Sequence, residues 1–439
     1  MIITQKADMI CENLKRNENG ELCFAGLELS PLAKKYGTPL YLYDEDRVRH
    51  NCRVYLDAVK EGFGENARVM YASKAASFKR LYEIIKEEGL GVDVVSCGEI
   101  YTAALAGFPL ENAYFHSNNK TAEDIEFAIK NGVGYFVVDN AEELFAIDEI
   151  AAKYGKKQKI MLRITPGIDP HTYAAVATGK VDSKFGSAIE TGQAEAITSL
   201  ALTFENLELQ GFHCHVGSQI FDADVYLATS RVMLKFVADM DRKLGFICRE
   251  LDIGGGLGVR YVESQPVLDI KKTILAVAVD MKATAKELGI TLPRISFEPG
   301  RSIVADAGLT LYTVGTVKRI PGYKSYVSVD GGMTDNPRFA LYGSPYTILP
   351  VFDDDGEKEA CSVVGRCCES GDILQENVPI RADVKRGDLL ACLTTGAYHY
   401  SMASNYNRIP RPPVVMLKNG ESYLAVKRET IEDIVRLDV

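Results

Sequence analysis

A chain of 439 residues, 46% hydrophobic and 25% charged, is long enough for two or three domains, or one large barrel with an appended domain, and can bury a large core. Its formal charge of −10, from 50 basic and 60 acidic residues, argues against nucleic acid or an anionic membrane surface as the main partner. The ten cysteines are scattered without paired spacing and form no C-x-x-C element, so reduced thiols are expected and a structural zinc site is not.

Met1 to Lys15 mixes Lys6, Asp8, Glu12 and Lys15 with short apolar pieces, which predicts no signal peptide and a cytoplasmic location. Asn19-Gly20 marks a hairpin turn between short strand-like pieces. Ser30 and Pro31 supply an N-cap and a first-turn proline, Gly37 and Pro39 stop that short helix, and 39–43 reads as a strand. From Arg68 the pattern becomes regular. Strand-like runs at 68–72, 91–95, 113–116, 134–138, 159–164, 208–213, 249–253 and 294–297 alternate with helical patterns. Thr121 precedes an acidic first turn with Glu123 and Asp124, and Asn140 stands three residues ahead of Glu143 in a capping-box arrangement. Eight such units over roughly 230 residues match a (β/α)8 barrel. Spacing alone does not show closure, and a doubly wound sheet stays open as an alternative. Beyond Leu309 the runs 309–317, 325–329, 360–365, 388–393 and 412–417, with a hairpin at Asn419-Gly420, predict a mostly β domain. The expected division is a barrel over 45–308, with 1–44 and 309–439 forming the β domain.

Chemistry in such a barrel collects at the C-terminal ends of the strands. Lys74 directly follows the first run. A lysine held by packed neighbours loses its proton more easily than one in water, and its free amine forms a Schiff base with an aldehyde; a solvated loop lysine is the plainer reading. The second strand carries Asp93 and runs into Ser96-Cys97-Gly98, and the third runs into His116-Ser117-Asn118-Asn119. The fifth contains Arg163 and opens into a long irregular loop through Gly179 to Lys184. The sixth gives His213-Cys214-His215-Val216-Gly217-Ser218, the seventh Gly254-Gly255-Gly256-Leu257-Gly258, and the eighth Glu298-Pro299-Gly300-Arg301.

The glycine run suits either a phosphate site or a tight turn, and its spacing does not fit the dinucleotide fingerprint. His213 and His215 share one side of a strand and suit a metal, but no carboxylate and histidine set accompanies them; an imidazole packed on a flat ring serves equally, and no metal is expected. A Schiff-base lysine, a phosphate cradle, a stacking imidazole and a carboxylate such as Glu298 are the parts needed to hold pyridoxal phosphate. A carboxylate at the pyridine nitrogen favours the protonated ring, which accepts the electron pair left when a substrate loses CO2. Three polar clusters interrupt the β domain: Asp330 to Tyr342, with Arg338 and Tyr342; Cys367-Cys368-Glu369-Ser370-Gly371-Asp372; and Gly396-Ala397-Tyr398. Each fits a surface turn, although an apolar strand running into two cysteines and a glutamate also suits chemistry, since a thiol can donate a proton.

Over nearly its whole length the sequence resembles the fold-type III pyridoxal-phosphate decarboxylases, most closely the group acting on meso-2,6-diaminopimelate. The resemblance rests on Tyr71-Ala72-Ser73-Lys74-Ala75, Asp182 to Gly186, His213 to Ser218, Gly254 to Gly256, Glu298 to Arg301, Asn336-Pro337-Arg338 with Ala340-Leu341-Tyr342, Cys368 to Asp372, and Gly396 to Tyr398 with Ser401 to Asn407. It implies a TIM-like barrel with a second, mostly β-barrel domain, as alanine racemases and these decarboxylases share. It also implies pyridoxal 5′-phosphate as cofactor and a cytoplasmic homodimer with shared active sites. Lys74 would carry the Schiff base, and His215 would stack on the ring. Ser218, Gly254, Gly255 and Gly256 would hold the phosphate, with Gly300 and Arg301 beside them, and Glu298 would meet the pyridine nitrogen. Arg301, Arg338 and Tyr342 would bind substrate, with Tyr398 near both substrate and cofactor. Cys368 would reach in from the second subunit as proton donor, with Glu369 holding the distal amino end. The implied reaction removes the carboxylate at the D-centre of meso-diaminopimelate to give L-lysine.

Ala76, Phe339, Tyr346 and Gly365-Arg366-Cys367 depart from the usual asparagine, proline, histidine and Gly-Pro at those places. They border the substrate-reading segment, so a relative acting on ornithine, lysine or arginine is the nearest rival. Glu369 speaks against the ornithine type, in which aspartate commonly follows the cysteine. A racemase would place arginine where Glu298 stands, and a non-catalytic cofactor-binding relative would have no use for both Lys74 and Cys368.

Overall fold

The computed structural model describes residues 10–169, 181–353 and 356–439. The expectation for Met1 to Lys15 therefore falls outside the described residues up to residue 9, and the loop expected through Gly179 falls outside them up to residue 180. The chain divides into two compact units: Met1–His50 with Val259–Pro266 and Ile303–Val439, and Asn51–Gly258 with Val267–Ser302. Among the described residues no helix is long and apolar enough to cross a membrane.

The first unit opens with three short strands, β1 (Leu14–Arg16), β2 (Leu22–Phe24) and β3 (Leu27–Glu28), paired antiparallel in that order, with the Asn19-Gly20 turn joining the first two. The helix that follows spans Leu29–Tyr36, so Ser30 lies inside its first turn and is not its cap. Its N-cap is Glu28, which makes no side-chain cap bond, and the Ser30 N–H instead donates to Glu21 Oε1 at 2.8 Å. A carboxylate just ahead of β2 thus takes over the capping role that the sequence pattern assigned to a serine. Gly37 ends the helix as expected, at φ 72°. Then comes β4 (Leu40–Asp44), all five residues of which are buried.

The second unit is a closed barrel. Its strands are β5 (Ala67–Ala72), β6 (Gly91–Val94), β7 (Ala113–Phe115), β8 (Tyr135–Val138), β9 (Gln158–Thr165), β11 (Leu207–His213), β12 (Glu250–Asp252) and β13 (Arg294–Phe297); a two-residue strand, β10 (Ser187–Ala188), lies on the edge of β9. All eight barrel pairings are parallel, and the β8 to β9 pairing closes the ring, which excludes the doubly wound sheet. Helices fill the crossovers. Thr121 and Asp124 form the full capping box. At Asn140 only half the box exists: the Asn140 side chain accepts from the Glu143 N–H, while the Glu143 carboxylate accepts from the Asp139 N–H and from buried Lys120.

Side chains two apart on a strand share a face, and this puts polar residues in layers inside the barrel. In one layer Glu250 accepts from Tyr114 and from Ser296, with Arg68 3.8 Å away. One step toward the C-terminal ends, the same strands present His116, Asp252 and Glu298, joined by Asp93, Arg163 and His213. Met70, Tyr114, Tyr135, Val137 and Met161 form a hydrophobic cluster on these strands.

The rest of the first unit is a sheet in the order β18-β17-β15-β14-β4-β20-β21, made by β14 (Gly308–Arg319), β15 (Ser325–Val329), β17 (Lys358–Val364), β18 (Ile373–Arg381), β20 (Val414–Lys418) and β21 (Glu421–Val426); β19 (Leu389–Cys392) also pairs with β14 and carries β16 (Ile348–Pro350) on its other side. The N-terminal β4 lies in the middle, antiparallel to β14 and parallel to β20. Its core gathers Leu14, Leu22, Phe24, Leu40, Leu42, Leu309, Leu311, Val415 and Leu417. The nine-residue β18 falls where the sequence pattern predicts no strand.

Candidate active site

The barrel end holds a connected constellation. After β5 the chain makes a single 3-10 turn, Ser73–Ala75. Lys74 is exposed there while Ser73, Ala75 and Ala76 around it are buried, so the packed turn presents the amine outward. The turn is fastened from the side: Ser73 Oγ donates to Glu99 Oε2 at 2.8 Å, and the Val95 N–H donates to the same oxygen at 2.7 Å. Burial pushes the Glu99 carboxyl up to about 7, against the pull of these hydrogen bonds. Gly300 lets the chain after β13 close on this turn, because a Cβ there would stand 2.8 Å from the Ala72 carbonyl oxygen and 3.1 Å from Ala75 Cβ.

Glu298, at the end of β13, is buried and has both oxygens engaged: Oε1 lies 2.7 Å from His116 Nε2, and Oε2 lies 3.0 Å from His213 Nε2. The two imidazoles meet edge to face with centroids 4.7 Å apart. Burial alone would drive the Glu298 carboxyl upward, but the two histidines outweigh it and hold it well below the usual carboxylate range. Burial pushes His213 the other way, down to about 4, so it meets Glu298 as a neutral hydrogen-bond donor. The other two carboxyls of this layer, Asp93 and Asp252, are raised by burial, with the Glu298 charge adding to the effect. Of three clustered carboxyls the fold thus holds Glu298 low while burial raises Asp93 and Asp252, a division of environments typical of functional sites. Ligand atoms of His116, His213 and Glu298 also lie within 4.8 Å of one another, close enough for a metal, but the 2.7 and 3.0 Å hydrogen bonds already satisfy them. The pair in contact with the carboxylate is therefore His116 and His213, whereas the sequence reading weighed His213 with His215.

His215 follows on the turn after β11, half-buried, with its Nδ1 3.4 Å from the Gly255 N–H. Burial, and then the Lys74 charge, push its pKa far down, which keeps the ring neutral. The glycine run is packed hard against this turn. A Cβ on Gly254 would stand 2.6 Å from the Cys214 carbonyl oxygen, one on Gly255 2.1 Å from that of Glu298, and one on Gly256 2.1 Å from that of Gly217; Gly254 and Gly256 also hold positive φ of 74° and 102°. A tight turn and a backbone cradle are thus the same object. Beside it, buried Arg301 donates from Nε and Nη2 to Ser218 Oγ at 3.3 and 3.0 Å.

These residues fit pyridoxal phosphate. An accessible amine answers the aldehyde, a buried ionised carboxylate answers a protonated ring nitrogen, and a glycine cradle with a hydroxyl and a guanidinium answers a phosphate.

The remaining sequence-predicted residues belong to the first unit. The Arg338 guanidinium lies over the rings of Tyr342 and Tyr398, 4.5 and 5.1 Å from their centroids, so these three form one stacked group. Cys368 and Glu369 are exposed on the loop between β17 and β18. Of the departures from the family pattern, Ala76 is buried and its carbonyl accepts from the Tyr71 hydroxyl, while Tyr346 is buried edge-on to Tyr261 and His399. His116, Glu99, Asp372 and Asn407 carry no role in the sequence pattern. Only their places beside the strand ends or inside the quoted motifs could have marked them.

Fold and site together define a barrel enzyme of pyridoxal phosphate chemistry. Residues 46–305 match the family model for the pyridoxal binding domain of pyridoxal-dependent decarboxylases. The chain is 44% identical to a diaminopimelate decarboxylase of Bacillus subtilis (strain 168), with 97% of each chain covered, and 41% identical to that of Staphylococcus aureus (strain COL), with 96% of this chain and 98% of that one covered. It superposes on the crystal structure of diaminopimelate decarboxylase from m. jannaschii in co-complex with L-lysine with a TM-score of 0.91, at 32% identity and 98% coverage of both chains. The chain belongs to the pyridoxal-dependent decarboxylases and, within them, to the diaminopimelate decarboxylases. Its cofactor is pyridoxal 5′-phosphate.

Proposed function

We propose that this chain decarboxylates meso-2,6-diaminopimelate at its D-centre, giving L-lysine and CO2 as the last step of lysine biosynthesis. The observation that carries the reading is the placement, at one end of the barrel, of the Lys74 amine and the buried Glu298 carboxylate, both oxygens of which are engaged by His116 and His213. The bound cofactor supplies an electron sink for the pair left when the carboxylate departs. Lys74 would offer the amine for the cofactor aldehyde. Glu298, engaged by His116 and His213, would partner the pyridine nitrogen, and the neutral His215 ring would stack on the cofactor. Ser218, Gly254 to Gly256, Gly300 and Arg301 would hold the phosphate end. Arg301, Arg338 and Tyr342 bind substrate, Tyr398 serves both substrate and cofactor, and Glu369 takes the distal amino end. Cys368 delivers a proton to the carbon that has lost CO2.

Cys368 and Glu369 act from the second subunit of a cytoplasmic homodimer with shared active sites. The division into a barrel over 45–308 and a β domain of 1–44 with 309–439 is the framework for that sharing. The exposure of both side chains within one chain supports it, since a proton donor needs an enclosed reaction site.

The test is turnover with product analysis on meso-diaminopimelate, L-lysine, L-ornithine, L-arginine and their D-forms, with and without added pyridoxal phosphate. Conversion of meso-diaminopimelate alone, to L-lysine, is expected; turnover of another amino acid in its place overturns the substrate assignment. Mixing inactive Lys74→Ala and Cys368→Ala proteins should restore activity that neither has, and failure to do so under exchange of subunits overturns the shared site.

A further inference from the structure

The loop that carries Cys368 is exposed, yet its backbone is fastened on both sides. On one side Asp372, which is buried, takes the Cys367 N–H on Oδ2 at 2.7 Å and the Met333 N–H on Oδ1 at 2.6 Å, while its own carbonyl accepts from Gly365 at 3.0 Å. Gly332 and Gly365 make room for it: a Cβ on either would fall 2.7 and 2.3 Å from its carboxylate oxygens. On the other side, Asn407 Oδ1 accepts from the Cys368 N–H itself at 2.8 Å. Asn407 and Arg408 both hold positive φ, 52° and 55°. An arginine rarely adopts this conformation, and such backbone persists only where the surroundings enforce it. Here Arg408 is tied by its N–H to the Asn405 carbonyl at 2.7 Å and by its guanidinium to Asp438 at 2.7 Å.

We propose that Asp372 and Asn407 are positioning residues that preset the backbone at Cys368, so that its thiol meets one face of the reacting carbon. The proposal rests on the reading of Cys368 as proton donor. In the step concerned the bond from the reacting carbon to the carboxylate breaks, CO2 leaves, a proton passes from the Cys368 thiol to that carbon, and solvent reprotonates the thiolate. The carbon becomes a CH2 of L-lysine, so in D2O the face of delivery is recorded as the configuration of a CHD group.

The experiment uses the holoenzyme with meso-diaminopimelate in D2O, reading kcat, KM and, by NMR, the configuration at the new CHD. Asn407→Gly keeps the left-handed backbone and removes only the acceptor; Asn407→Asp restores the acceptor. For Asn407→Gly, kcat should fall between roughly 5- and 100-fold with KM within about 2-fold, and deuterium should appear in both configurations. Asn407→Asp should return kcat and single configuration toward the parent, and Asp372→Asn should behave as Asn407→Gly does. Retention of kcat and single configuration in both Asn407→Gly and Asp372→Asn overturns the proposal. A Cys368→Ala control separates the causes. If it also keeps both readouts, the proton-donor reading has failed and takes this one with it; if it alone loses them, only the positioning role has failed.

Discussion

Gly255→Ala tests the packing that builds the site. A Cβ there would stand 2.1 Å from the Glu298 carbonyl oxygen, 2.9 Å from its carbonyl carbon and 3.5 Å from Pro299 N, so backbone at the ends of β12 and β13 must part by roughly 1 Å. Overpacking against backbone belongs at the upper end of the usual range, about 3 kcal/mol. For a unit of this size that lowers Tm by about 6–12 °C. The atom that moves belongs to Glu298, so under the role proposed for its carboxylate the hydrogen-bonding geometry toward the cofactor degrades with it. A charge-assisted hydrogen bond is worth about 1.5–3 kcal/mol, so affinity for pyridoxal phosphate should drop roughly 10- to 100-fold. Gly98→Ala is the matched control: it sits exposed in the helix Cys97–Leu105, and its Cβ meets only Ser96 Oγ at 3.7 Å. That change should be neutral or stabilising by up to about 1 kcal/mol. Thermal melts of both variants and fluorescence titration with the cofactor decide the matter. A Gly255→Ala protein that melts within about 1 °C of the parent and binds cofactor equally well refutes the argument.

Lys74→Ala should lose turnover together with the visible absorbance of covalently attached cofactor, and borohydride reduction of the parent should leave the label on Lys74 by mass spectrometry; an active variant would sink that assignment. Glu298→Gln keeps the shape and removes the charge that the two histidines stabilise, so kcat should fall by about 100-fold or more, and a loss under threefold in steady-state kinetics would contradict its role. His213 gives a pH dependence. Burial holds its pKa at about 4 against an ordinary 6.5, so the unfolded chain takes up a proton that the folded one refuses. Stability present above pH 6.5 is lost as pH falls toward 4, by about 3 kcal/mol in all. Urea midpoints measured across that window should fall, and His213→Gln should flatten the trend; an unchanged slope would mean that another group is responsible.

The eight barrel strands were legible because each is a short apolar run set between helical patterns, and β14, β15 and β20 because each is a period-two or continuous apolar run. What alternation could not reveal is the polar filling of the barrel. His116 and Glu298 lie 182 residues apart and meet only because the ring closes. A reading that takes the inner face of a strand to be apolar has no place for Tyr114, Glu250 and Ser296. The strand β18 was hidden by its own composition: Glu376, Asn377 and Pro379 break the alternation, Asn377 holds φ 57°, and the pairing with β17 slips in register near Val363. The helix beginning at Leu29 was misplaced by two residues because its capping carboxylate, Glu21, comes from just ahead of β2. The site residues were named mostly through the resemblance of ordered motifs. The partners that tune or hold them, His116, Glu99, Asp372 and Asn407, became visible only with distances.

The position of β4 has a consequence for how the chain is made. Residues 40–44 emerge early from the ribosome, but their neighbours on either side, β14 and β20, end at Arg319 and Lys418. At about 5–20 residues per second, β4 waits roughly 20 to 80 s for its second partner, long after every barrel strand has been synthesised. Throughout that interval Leu40, Tyr41, Leu42 and Tyr43, all buried in the finished protein, belong to a strand with at least one edge unpaired. The barrel can be complete while its amino-terminal extension is still sticky, so a transcript cut short before Val414 yields a protein with every barrel strand and an open edge at β4.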